Sequence, residues 1–130
     1  MKTLSLSFVA LLLILAVVPL QAQTKKESHV MKGYLIDKMC GSTMAKKPHD
    51  KAMAMAAKHT KVCATEEECA ASGYGLITDG KWIAFDEAGN KKAAEYLQKT
   101  KAKDHLYVAV SGTMAGKTIS VSSIKETKEK

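Results

Sequence analysis

This chain of 130 residues contains no arginine: all twenty of its cationic residues are lysines, set against thirteen acids. The planar guanidinium fork that grips phosphate in two places is therefore missing. The lysines are also dispersed, so the net charge of +7 reads as a solvated surface with some long-range pull on anionic surfaces, and a nucleic-acid partner is disfavoured. Cysteine is scarce. Three are too few for a disulfide-dense mini-protein, and no two of them form a close C-x-x-C pair. There is no serine–histidine–acid arrangement and no glycine-rich loop to cradle a phosphate. Asp37, Asp79 and Asp86 suit strand ends and turns better than paired acid–base work. His59 could act as a base for Cys63, but a free thiol is easily lost in an oxidising compartment. No catalytic constellation stands out, and the expectation is a non-enzymatic protein. There is no internal repeat, and the length is that of one domain.

The apolar content is uneven. Lys2 precedes a run from Leu4 to Val18 broken only by Ser5 and Ser7, and Pro19-Leu20-Gln21-Ala22 follows. This is the layout of a secretory signal peptide over residues 1–22. The run of about 15 residues is short for a membrane span, which needs about 20. Removal of this segment leaves 108 residues with nineteen lysines against thirteen acids, a charge of +6, and no transmembrane segment is expected in that mature form. A secreted or periplasmic bacterial protein follows as the expectation, in a compartment where disulfides persist.

Residues 23–28 form a flexible lead-in, and 29–125 form the domain, with an insert over about 38–73 and a charged, frayed tail at 126–130. His29–Asp37 reads as a first strand. Pro48 opens a helix running to about Lys61, Thr65 caps a short helix with Glu68 reaching back, and that helix ends at Gly73. The clearest local signal is Asp79-Gly80 between Tyr74–Thr78 and Lys81–Phe85. It predicts a type I′ hairpin with Ile77 opposite Trp82, Leu76 opposite Ile83, and Tyr74 opposite Phe85. Tyr74, Leu76, Ile83 and Phe85 then share the core face. Glu87–Asn90 reads as a turn, with Asn90 capping a helix over Lys91–Lys101 whose buried stripe is Ala93, Tyr96, Leu97 and Thr100. Leu106, Val108 and Val110 alternate as a strand, Gly112–Lys117 turns the chain, and Thr118–Ile124 closes it.

The fold class predicted is α+β, mainly β with helices: a five-stranded OB-like Greek-key barrel with a Cys/His-bearing helical insert between strands 1 and 2. Gly33-Tyr-Leu-Ile-Asp37, Cys40, His59, Cys63, Cys69, Gly73-Tyr-Gly-Leu and Asp79-Gly80-Lys81 together resemble a family of small secreted bacterial proteins of uncharacterised function, with the pattern GxxxDxxC…H…C…C…DGK. The spacing of His59, Cys63 and Cys69 is wider than the tight cysteine pairs of that family. The resemblance implies an OB-like barrel and export, and it supplies no reaction.

Function points to the insert, which holds Cys40, His49, His59, Cys63, Cys69 and the methionines 39, 44, 53 and 55. One reading is a single disulfide with a cysteine left over. Its three pairings stay open, and a bridge from Cys40 across some 25 residues contributes about 3 kcal/mol in the chain-entropy picture. The other is a metal site. Cys40, His59, Cys63 and Cys69 make a Cys3His set suited to zinc, while copper(I) favours soft sulfur, methionine included. An uninterrupted helix would put His59 and Cys63 on one face with Met55. His29, His49 and His105 are isolated and read as surface or structural. The expected role is a small binding protein for a metal ion or small ligand. The alternative is a disulfide-stapled module that binds a glycan, a peptide or an envelope protein through the face around Trp82.

Overall fold

The structure, a computed structural model, describes residues 27–129. The proposed leader at 1–22 and the lead-in up to residue 26 lie outside the described residues. The described chain is α+β, with a five-stranded mixed sheet and five helices, in the order β1 (His29–Asp37), α1 (Lys38–Met44), α2 (His49–Ala57), α3 (Lys61–Thr65), α4 (Glu67–Ser72), β2 (Tyr74–Thr78), β3 (Lys81–Phe85), α5 (Glu87–Lys99), β4 (Tyr107–Ala115) and β5 (Thr118–Glu126).

Strand β1 serves two neighbours. Its first half pairs antiparallel with β4, from His29 opposite Gly112 to Tyr34 opposite Tyr107, and its second half pairs antiparallel with β2, from Tyr34 opposite Ile77 to Asp37 opposite Tyr74. The β2–β3 hairpin has the register its turn demands, Ile77 opposite Trp82 and Leu76 opposite Ile83. Asp79 and Gly80 both take positive φ, 50° and 68°, as a type I′ turn requires. β3 runs parallel to β5 through Ala84–Thr118 and Phe85–Ile119, and β5 pairs antiparallel with β4. Each strand therefore has two ladder partners.

Alternation divides the apolar side chains between two clusters. Leu35, Leu76, Phe85, Val108, Val110, Ile119 and Val121 turn inward and are sealed by Ala93 and Leu97 of α5. Each such large side chain contributes about 1.5–3 kcal/mol on burial. The opposite parity, Tyr34, Ile36 and Ile77, faces the insert and meets Met44, Ala56 and Trp82. The insert brings mostly alanine and methionine to this contact, and its helices run from five to nine residues.

Four expectations need correction. The helix that starts after Pro48 stops at Ala57, where the N–H groups of Lys58 and His59 fold back to the carbonyls of Met55 and Ala56. Thr65 does not cap: it ends α3, its hydroxyl donates to the carbonyls of Lys61 and Val62, and Glu66 takes the cap position of α4. Asp86, not Asn90, caps α5 by accepting from the Gly89 N–H at 2.8 Å. Asn90 lies inside that helix and accepts from the Tyr74 N–H instead. The described part of the tail, up to Glu129, is bound rather than frayed. Lys125 and Glu126 continue β5, Thr127 N–H donates to the Tyr107 carbonyl, and the Glu129 carboxylate accepts from the Tyr34 hydroxyl.

Candidate metal centre

Each cysteine of the insert occupies the same place in its own helix. Asp37 caps α1, and its Oδ1 accepts from the N–H of Cys40 at 2.9 Å. Thr60 caps α3, and its hydroxyl oxygen accepts from the N–H of Cys63 at 3.1 Å. Glu66 stands at the cap position of α4, three residues before Cys69. A residue three places after the cap lies in the first helical turn, where the backbone N–H groups lack partners within the helix. Three short helices thus bring their first turns to one point. The Sγ atoms of Cys40, Cys63 and Cys69 and a carboxylate oxygen of Asp37 all lie within 4.8 Å of one another. The three thiols are free.

His59 is not among those four groups. The break after Ala57 takes it off any helix shared with Cys63, so the i, i+4 face does not form. Its Nε2 instead lies 3.0 Å from Asp37 Oδ2, with Asp37 0% and His59 6% exposed. This is an ion-pair distance, yet Asp37 Oδ2 and both His59 ring nitrogens lack a partner in good hydrogen-bond geometry. The structure therefore assembles three of the four sequence-derived ligands, replaces His59 with Asp37, and puts His59 behind the carboxylate. Asp37 was missed because, at the end of a strand, it reads as a simple turn residue. A signal was present: Asp37-x-x-Cys40, Thr60-x-x-Cys63 and Glu66-x-x-Cys69 repeat one spacing from cap position to thiol.

The surroundings favour the neutral thiol at Cys40 and Cys69 and the ionised carboxylate at Asp37. Burial pushes the Cys40 thiol up to about 12, helped by the nearby Asp37 charge and by Cys63. Burial and Asp37 raise Cys69 as well. Burial also works against the Asp37 carboxylate, but the contact with His59 and the Cys40 N–H outweigh it and hold the group below the usual range. A cation at the centre would reverse the sulfur preference, since thiolate is the ligand form.

The donor set fits a thiophilic ion. Zn–S bonds of about 2.3 Å place neighbouring sulfurs of a tetrahedron about 3.8 Å apart, inside the spread found here. Asp37 would supply the oxygen donor, with His59 orienting it from outside. Trp82 is placed differently. Its indole seats on α1 and β2 at Gly41 and Gly75, where a β-carbon on either glycine would overlap the ring. Another part of Trp82 borders a cavity of about 300 Å³ with Thr78, Lys81, Met114 and Lys117.

No protein-family profile matches the chain, and no curated protein or solved structure matches it either.

Proposed function

We propose that the protein is an exported, OB-like small domain that binds one thiophilic metal ion per chain through Cys40, Cys63 and Cys69, with Asp37 as the fourth donor and His59 as its support. The single observation that carries this is the convergence of three thiols and one carboxylate oxygen within 4.8 Å. Order 1-2-3-5-4 around the sheet, with β1 returning to β4, supports the OB-like barrel. The leader-like residues 1–22 support export, and among the described residues no helix is long and apolar enough to cross a membrane. The role is binding rather than catalysis.

The set explains an odd cysteine count better than a single bridge does, because a bridge strands one thiol beside a buried carboxylate. Protein expressed with its leader in a bacterial host and purified without chelator tests the reading. About one bound ion per chain is expected, and all three cysteines should react with a thiol reagent once the ion is stripped. One reactive thiol with no metal would instead establish the stapled module.

A further inference from the structure

Beside the thiol cluster lies a cavity of about 280 Å³ whose lining is almost entirely sulfur-bearing. Met39, Met44 and Met55 contribute three thioethers, Cys40 and Cys69 contribute two of the cluster's thiols, and Thr43 completes the wall. No charged side chain lines it. Met39 stands at the surface, 50% exposed, while Met44 is 7% exposed. The three methionines, carried by α1 and α2, thus share one wall that reaches both solvent, at Met39, and two of the thiols, at Cys40 and Cys69.

Methionine usually fills gaps in a core, and one member of the insert does only that: Met53 lies outside this cavity, and its sulfur accepts from the Gly80 N–H at 3.3 Å. The other three share a wall with the thiols. Thioether is a soft, neutral donor that suits copper(I) and has little attraction for zinc or for hard ions. A structural zinc site is closed, with four fixed ligands and no need of a lined approach.

From this we infer that the cavity is the entry path of the metal site and that the ion is a soft monovalent one, copper(I), carried as cargo rather than held as a structural zinc. This rests on the metal reading above. The ion passes from thioether to thiolate, where the three cysteine sulfurs hold copper(I) and the Asp37 oxygen, a hard donor, stands beside it as a neighbouring negative charge rather than a ligand. Each sulfur–hydrogen bond lost at a cysteine is replaced by a sulfur–copper bond, with the proton released to solvent. Copper stays in the +1 state throughout, so no oxidant or reductant takes part. The neutral methionines exchange with no proton to lose, which suits them to the outer positions.

The test uses the full mature chain, reduced and held anaerobically, with copper(I) supplied from a coloured bicinchoninate complex and zinc(II) from a coloured indicator. Leucine is close to methionine in volume, so Met39→Leu, Met44→Leu and Met55→Leu, singly and together, keep the packing. The triple variant should take copper(I) about tenfold more slowly or more weakly, with zinc(II) binding unchanged. Met53→Leu should leave both metals as in the wild type. Copper(I) uptake within about twofold of wild type in the triple variant would overturn the entry path while leaving the thiol site standing. Failure of the wild type to bind either ion would overturn the metal site itself, and this inference with it.

Discussion

The sheet and the insert are built by different means. Inside the sheet, branched aliphatics and Phe85 pack from all five strands and α5, and each strand has two ladder neighbours. The insert has four helices, none longer than nine residues, with alanine and methionine as its main apolar material. Helices this short are marginal on their own. What orders them is borrowed: α1 and α2 lean on Tyr34, Ile36, Ile77 and Trp82, α3 and α4 set Ala64 and Ala70 against the inner cluster, and the first turns of α1, α3 and α4 converge on the thiols beside the Asp37–His59 pair. A sheet with its own aliphatic core thus carries a segment of short helices that has little such packing of its own.

The largest expected effect falls on the framework. Phe85→Ala removes a buried ring from the inner cluster and should cost about 3–5 kcal/mol, lowering the urea midpoint of sheet and insert together. His59→Ala comes next, and it should separate the two regions. It removes the imidazole packed 3.0 Å from the buried Asp37 carboxylate, leaving that group without its neighbour at a cost of roughly 3 kcal/mol. Hydrogen exchange should show that loss over residues 38–72 and little change in the strands, with metal affinity about tenfold or more lower.

Gly41→Ala attacks the joint between the regions. Its β-carbon would overlap the Trp82 ring, so the indole must move, at about 1–3 kcal/mol. A red shift of tryptophan emission with metal binding weakened but not abolished is the expected readout. Asp86→Asn is the smallest and should touch the framework alone, at about 1 kcal/mol. Burial opposes the Asp86 charge, but the Gly89 N–H, the Ser120 hydroxyl and the Val121 N–H outweigh it and hold its carboxyl below the ordinary value of 3.8. As pH falls, the unfolded chain therefore takes the proton first. Asp86 contributes its full stabilisation above that ordinary value and loses it as pH drops through the folded one. Acid titration of the variant should show a shallower loss of stability below about pH 4, with metal binding at neutral pH unaltered.

The same contrast explains which parts were legible in the sequence. β1, the Asp79-Gly80 hairpin and the inward residues of β4 and β5 follow from alternation and turn chemistry within a few residues, and they were readable. The insert was not, because its breaks are set by partners far along the chain. His59 leaves its helix to meet Asp37 22 positions earlier, and Thr60 starts a helix that no apolar period announces. Asn90 looked like a cap, yet its side chain serves Tyr74 and Asp86 does the capping. The three cysteines were recognisable as one cluster from their isolation in one segment. Their fourth companion was hidden at the end of a strand, where an aspartate is ordinary.

The central claim is that the insert's order depends on the thiol cluster and its ion while the sheet stands alone. Native-state hydrogen exchange on the reduced full chain, with and without one equivalent of metal, tests it directly. Added metal should raise protection across Lys38–Ser72 and leave the amides of the five strands as they were; uniform change across both regions, or none in the insert, would contradict it.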